Sequence, residues 1–399
     1  MTDWPVKTIG EICVGIERQD PAVSGQTEFT YIDLSAVNQL TKQIDDFKIL
    51  AVDEAPGRAR QLVKSGDVLV STVRPNLNTV ALVGSELNGA TASTGFCVLR
   101  PNKSFVEPGL LFAWVRNQLF IDELTSQAKG ASYPAVTDNV VKALEIPVPP
   151  LEEQKRIVAL LDAATARVAE LTACYEQART HANNLFTSAL SDALESNPDW
   201  PVKTLGEVCD FVRGVTYDKA DARSEMKSGY IPLLRATNIT EKGLLREDFV
   251  FIPKNGVRAD QKLMSGDALI TIASGSVSVV GRSVLVEDPS EMTFGAFCGV
   301  LRPSPEILPR YLSHFMSSRS VRTAWSEAAQ GTNINNLKRD DILQTECLLP
   351  SLSEQKRIVT RLDAMRAKTS EMVTAYDAKL TAAKNLRQSI LESAFAGEL

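Results

Sequence analysis

The chain has 399 residues, 44% of them hydrophobic, and its 43 basic residues are set against 49 acidic ones for a formal net charge of −6. That composition supports a globular chain with ample core and excludes a disordered or collagen-like one. No stretch approaches the roughly 18 apolar residues of a membrane span, and Met1 is followed by TDWPVKT, without the basic start and apolar run of a signal peptide, so a cytoplasmic chain with no membrane contact is expected.

Residues 1–146 come first, as short β-rich runs such as GDVLVSTV (Gly66 to Val73) broken by Gly, Pro, Asn and Asp. A helical stretch, PGLLFAWVRNQLF (Pro108 to Phe120), stands near their end, and the whole reads as a mixed α/β domain. Residues 147–196 change texture. From 151 to 195 there is neither Gly nor Pro, and apolar or small residues step by four and three through Ile157, Leu161, Ala164, Val168, Leu171, Tyr175, Ala178, Ala182, Leu185 and Ala189. That is the heptad seam of a long coiled-coil helix.

The chain then repeats itself. Residues 197–346 reopen with DWPVKTLGEVC (Asp199 to Cys209) against DWPVKTIGEIC (Asp3 to Cys13). In order follow YIPLLRATN against YIDLSAVN, SGDALI against SGDVLV, and FCGVLRP (Phe297 to Pro303) against FCVLRP (Phe96 to Pro101). Residues 347–399 supply the second helix. PSLSEQKRIVTRLD (Pro350 to Asp363) copies PPLEEQKRIVALLD (Pro149 to Asp162) at an offset of 201. Its seam runs through Ile358, Leu362, Met365, Thr369, Met372, Tyr376, Lys379, Ala383, Leu386 and Ile390, with two polar interruptions. Both helices open on helix-start signals, carboxylates in PPLEEQ and the capping-box spacing of Ser351 and Glu354. Ordered pairs at near-constant spacing mean duplication of one fold.

A helix of about 40 residues is roughly 60 Å long and has to pack on another long helix. The first leads from one domain into the next and the second begins where that domain ends, so the pair is expected to run antiparallel. The fold class expected is therefore α+β: two mixed α/β domains, joined by two long antiparallel helices in a coiled coil, under an internal pseudo-two-fold repeat. Ala164, Ala178 and Ala182 allow the helices a close approach.

Signs of chemistry are sparse. His181 falls within the first helix and His314 stands without a matching ligand set, so no metal site and no histidine base are expected. No phosphate-cradling loop or dinucleotide fingerprint stands between a strand and a helix. Asn197-Pro198-Asp199-Trp200 lacks the second proline of an adenine methyltransferase tetrapeptide. Glu153-Gln154-Lys155 and Glu354-Gln355-Lys356 read as solvated first helical turns rather than nuclease motifs. The six cysteines, two repeat-related pairs (Cys13 with Cys209, Cys97 with Cys298) among them, read as free buried thiols.

The junction IPVPPLEEQKRIVALLD (Ile146 to Asp162) and the ending LRQSILESAFAGEL (Leu386 to Leu399) resemble the specificity subunit of type I restriction-modification systems, over essentially the whole chain. In the second copy CLLPSLSEQ departs from that pattern with fewer prolines. The resemblance implies two target-recognition domains (1–146 and 197–346) and two spacer helices (147–196 and 347–399). It further implies a non-catalytic subunit that reads a bipartite, asymmetric double-stranded DNA target with an unspecified gap. Two adenine methyltransferase subunits and two restriction/translocase subunits would dock on it. S-adenosylmethionine, ATP and Mg would belong to those partners, with no cofactor in this chain.

DNA binding sits awkwardly with an acidic chain, so basic residues have to act locally. Candidates are Arg58, Arg60, Lys64 and Arg74 in the first domain and Arg235, Lys254, Arg258 and Lys262 in the second. Candidate reading loops lie at matching repeat positions: STVRPNLNT (Ser71 to Thr79) with KGASYPAV (Lys129 to Val136), and TIASGSVSV (Thr271 to Val279) with QGTNINNL (Gln330 to Leu337). Within them Arg74 suits guanine and Asn76, Asn78, Asn333, Asn335 or Asn336 suit adenine, while Ser132, Tyr133, Ser274 and Ser276 are further contacts. The rival is a duplicated coiled-coil scaffold binding two protein partners without DNA. Strong divergence of the domains beside near-identity of the helix starts favours the DNA reading.

Overall fold

The computed structural model describes residues 4–399 except 131, 196, 198, 242 and 331–333. The chain forms two compact units, Met1–Glu176 with Ala378–Leu399, and Gln177–Asp377. Each unit holds one mixed α/β domain, the start of one long helix and part of the other.

In the first unit, strands Cys13–Val14, Phe96–Pro101, Val68–Ser71 and Val80–Leu82 form an antiparallel sheet in that spatial order. A second sheet runs Lys48–Ala51, Glu28–Ile32, Thr91–Ser93, Ala59–Leu62, with its central pair parallel. All four residues of Val68–Ser71 are buried, which is why this strand reads as an unbroken apolar run rather than an alternating one. One apolar cluster, with Ile32, Leu69, Ala81, Phe96 and Val98, fills the space beside the strands. Another packs Ile9, Val70, Leu99, Leu110, Phe120 and Ile146 against Ile157, Leu161, Leu391 and Phe395 of the long helices.

The second unit repeats the plan, with Cys209–Arg213, Cys298–Pro303, Ala268–Thr271 and Ser283–Leu285 in one sheet. Val250–Pro253, Tyr230–Leu234 and Thr293–Phe294 make the other. Each domain is tied shut by one strand pair from its two ends, Val6–Thr8 with Glu145–Pro147 and Val202–Thr204 with Glu346–Leu348. After the first strand of each pair comes a capping turn: Thr8 and Glu11 bond reciprocally, and the Glu207 carboxylate accepts from the Thr204 N–H at 2.7 Å. The Ser-Gly-Asp turns are braced alike: Asp67 accepts from Arg100 at 2.8 and 2.9 Å, and Asp267 from Arg302 at 2.8 Å twice.

The long helices span Leu151–Glu195 and Leu352–Ala396. Inside the first unit Ile157 and Leu161 share a cluster with Leu391 and Ala394, while Lys379 sits 5.3 Å from the Tyr175 ring centre, so the two segments run antiparallel there. Inside the second, Arg179 pairs with Asp377 at 3.0 Å and Arg366 lies over Phe186, again antiparallel.

Part of the expected seam is corrected. Ile157, Leu161, Val168, Ile358 and Leu362 are buried, and Leu171, Tyr175, Met365, Met372, Tyr376 and Ile390 are half-buried. Leu185 is 51% exposed and Leu386 48%, so neither lies in it. A 3.6-residue helix drifts about 20° per heptad against a strict seven-residue repeat, about 80° over the four heptads from Ile157. By then the next residue faces inward. Phe186 and Arg387 take the places expected of Leu185 and Leu386.

The duplicated fourteen residues have a local explanation. Gln154 is fully buried; its Oε1 accepts from the Glu107 N–H at 2.8 Å, and its Nε2 donates to the carbonyls of Phe105 (2.9 Å) and Pro149 (2.7 Å). Gln355 does the same with Leu308, Glu306 and Pro350 at 2.8, 2.9 and 2.9 Å. One amide, donor and acceptor at once, fastens each domain to its own helix start. At Ser351 only half of the capping box forms: the Glu354 N–H donates to Ser351 at 3.4 Å, while the Glu354 carboxylate pairs with Arg357 at 2.6 Å.

Candidate nucleic-acid interface

In each domain the two loops singled out from sequence meet. The Arg74 N–H donates to the Pro134 carbonyl at 2.7 Å and the Val136 N–H to the Thr72 carbonyl at 2.9 Å. In the second domain Ala273–Ser274 and Asn335–Asn336 pair as short antiparallel strands. Each candidate surface is thus one object built from segments about 60 positions apart.

Arg74 and Asn78 bracket the tight turn Pro75–Leu77, both in the left-handed region at φ 49° and 46°. Such backbone costs on the order of 1–3 kcal/mol for a residue other than Gly and persists only where the surroundings impose it. Here it holds the Arg74 guanidinium 4.8 Å from the ring centre of Tyr133, which is 70% exposed. No carboxylate pairs with Arg74 among the described residues. An exposed cation stacked on an exposed ring, with free donor edges, suits base edges and phosphates. Asn76 and Ser132 are exposed beside it. Asn78 is otherwise engaged, its Nδ2 donating to the Val115 carbonyl at 2.7 Å, so its amide braces the loop.

The remaining candidate cations of the first domain lie on or beside another element, the strand Ala59–Leu62. Arg60 pairs with Asp20 at 3.1 Å and Lys64 with Glu17 at 2.8 Å, whereas Arg58 is exposed with no ion pair among the described residues. No hydrogen bond or ring contact joins these three to the Arg74 loop among the described residues. The sequence did not distinguish them from Arg74.

In the second domain Asn335 is 8% exposed and donates to the carbonyls of Gly275 (3.2 Å) and Ser274 (3.4 Å), a bracing role like that of Asn78. Ser274 accepts from the Ser276 N–H at 3.3 Å, and Ser276 and Ser278 share a bond of 3.0 Å. Asn336 is exposed. Asn333 lies outside the described residues. Asn336 lines a cavity of about 440 Å³ together with Arg213, Arg258, Lys338 and Arg339. Arg258 also holds Asp260 at 3.0 Å. Arg213, Lys338 and Arg339 were missed from sequence; the Lys338-Arg339 doublet next to the loop was the available signal, and Arg213 had none.

Three candidates stand apart from this cavity. Lys254 pairs with Glu291 at 3.0 Å, and Lys262 is exposed without an ion pair among the described residues. Arg235 donates to the Asp248 carbonyl at 2.8 Å beside a larger cavity, about 680 Å³, that it shares with Arg223 and Phe251. Among the described residues no group of histidines, cysteines and carboxylates could hold a metal ion. All six cysteines are free thiols, though Cys174 is exposed, against the expectation of burial. Among the described residues no helix is long and apolar enough to cross a membrane.

A family model described as "Type I restriction modification DNA specificity domain" matches residues 1–177 and 197–382. The chain is 38% identical over 200 residues to the StySPI specificity subunit of Salmonella potsdam and, equally, to the EcoKI specificity subunit of Escherichia coli K12. Those alignments cover 50% of this chain and 43% of each relative, so the chain spans less than half the length of the relatives it matches there. Over 91% of the chain and 86% of the relative it is 24% identical to the MjaVIII specificity subunit of Methanocaldococcus jannaschii. Among solved structures it is similar, at TM-score 0.87 and 32% identity over 99% of this chain and 98% of the other, to a chain from "Structural basis underlying complex assembly and conformational transition of the type I R-M system". It also resembles the HsdS subunit of Thermoanaerobacter tengcongensis, at TM-score 0.63 and 31% identity over 100% and 98% of the two chains.

Proposed function

Because the chain belongs to the family of type I restriction-modification DNA specificity domains, we propose that it reads a bipartite, asymmetric sequence in double-stranded DNA and performs no catalysis itself. The observation that carries this reading is the pairing of loops in each domain into one exposed polar lip whose cations have no ion pair among the described residues, Arg74 over Tyr133 in one and the Arg213, Lys338 and Arg339 groove in the other. The loops differ between the domains while the helix junctions barely do. Two different lips read two different half-sites, and two equal junctions offer equal docking surfaces. Base-edge contacts from the lips would set sequence, and cations around them would supply affinity through phosphates.

The partners proposed are two adenine methyltransferase subunits and two restriction/translocase subunits, in the cytoplasm. S-adenosylmethionine, ATP and Mg would then be theirs. The acidic balance suggests that affinity is shared with partner surfaces, so the isolated chain should bind DNA weakly. A scaffold without DNA contact has no use for an exposed arginine on a strained turn, as Arg74 is, with no carboxylate partner among the described residues. The experiment is to exchange Asp3 to Leu144 for the same segment of a relative and map methylated sites genome-wide. One half of the target should change and the other should persist. Two altered halves, or sites unaffected by the exchange, would count against this reading.

A further inference from the structure

Three cations of the first unit converge on one cavity from three separate elements. Lys42 comes from the loop after Asn38, Arg116 follows the helix Pro108–Trp114, and Arg387 stands on the second long helix. The cavity measures about 480 Å³. All three are half-buried, and none has a carboxylate within 4.0 Å among the described residues. Backbone carbonyls are their partners: Lys42 donates to Asn78, Arg116 to Phe112 at 3.1 Å and Arg387 to Leu40 at 3.0 Å.

Gathering like charges out of water is unfavourable unless something compensates them. The strain is visible in Lys42, whose ammonium is pushed down to about 8 by burial, Arg387 and Arg116. Arg116 is likewise pushed down to about 10 by burial and Arg387. Asp45, Glu86 and Asp162 also line the cavity as exposed groups, and Asp162 pulls Arg116 partly back, too weakly to offset burial and Arg387. The fold itself does not require the cluster. In the second unit the repeat mates of Arg116 and Arg387 are Ser317 and Phe186, and the same architecture forms without them.

We propose that the cavity between Lys42, Arg116 and Arg387 holds a phosphate of the DNA backbone. Two guanidinium forks and a point-charge ammonium match a phosphodiester's oxygens. DNA is favoured as the source because the site is bonded to the reading loop: Lys42 holds the Asn78 carbonyl and Asn78 holds Val115, next to Arg116. A backbone phosphate gripped there fixes the register of the duplex against Arg74. The second long helix thereby contributes Arg387 to recognition of the first half-site. This inference rests on the DNA-reading function proposed above.

The test uses the full-length chain at low ionic strength and measures binding to a duplex carrying its mapped target and to a scrambled duplex, over a series of salt concentrations. Lys42→Gln and Arg387→Gln, each checked for an unchanged circular dichroism spectrum and unfolding temperature, should weaken both duplexes by about the same factor. Each should also flatten the log–log salt dependence by up to about 0.9, the value of one phosphate contact. Unchanged slopes in both folded variants overturn the site and leave the DNA-reading function standing. A wild-type chain indifferent to both duplexes sinks that function and this site together. Inorganic phosphate that raises the unfolding temperature of the wild type but not of Arg387→Gln, with DNA slopes unchanged, would reassign the cavity to free phosphate and also overturn the DNA assignment.

Discussion

Gln154 shows how one side chain explains a repeated motif. Truncation to Ala would leave the Glu107 N–H and the Phe105 and Pro149 carbonyls without their partner in a buried site. Each such group costs about 1–3 kcal/mol, less where water can enter, so Gln154→Ala is expected to destabilise the first unit by about 3 kcal/mol in urea unfolding. A loss under about 1 kcal/mol would show that the junction is held by apolar packing alone. His314 sets a second expectation. It is 3% exposed, its Nε2 lies 2.8 Å from Asp363, and its Nδ1 is buried without a partner among the described residues. Burial holds its basicity below the usual value, against the opposing pull of the Asp363 carboxylate, with Arg310 and Arg366 adding repulsion. The folded state therefore keeps the neutral ring while the unfolded chain takes up the proton first. Stability of the second unit should be full above about pH 6.5 and fall as pH drops below it. His314→Gln should remove that part of the pH dependence, as read by thermal unfolding across about pH 7.5 to 5.5; an unaltered pH profile would mean that the ring binds its proton equally well in the folded and the unfolded chain.

At the scale of elements, periodicity located both long helices and then misplaced their far ends. A heptad template has no memory of drift, and after four heptads it points to Leu185 where the packed side chain is Phe186, under Arg366 at 5.6 Å. The two neighbours should behave oppositely. Leu185→Gln is expected to be close to neutral, whereas Phe186→Ala should cost the second unit about 2 kcal/mol, half of a fully buried phenylalanine. Equal costs in a urea titration would restore the strict seam. The candidate loops were legible because Gly, Ser and Asn gathered at matching repeat positions. Which of their side chains are free was not legible: Asn78 and Asn335 look like readers in sequence and are bonded to backbone carbonyls.

For the whole molecule, the compact units cut across chain order. Residues 378–399 close the core of the first unit, where Phe395 meets Trp114 edge-on with ring centres 4.8 Å apart and Asn117 donates to the Leu391 carbonyl at 3.4 Å. Deleting everything after Asp377 should therefore expose residues 1–176 to protease, although the deletion lies more than 200 positions downstream, and leave 177–377 protected. Limited proteolysis with identification of the fragments checks this; a first domain that stays resistant would make the helix end an accessory. By itself the sequence determined what repetition and short-range periodicity can carry: two copies of a domain, two long helices, and a junction written twice. Those signals are local, because a helix face is set by neighbours three and four residues apart. Only the tertiary structure decided which charged and amide groups are spent and which are free, since partners such as Arg387 and Leu40 stand 347 positions apart. No pattern along the chain records a pairing that arises only when distant surfaces are packed together.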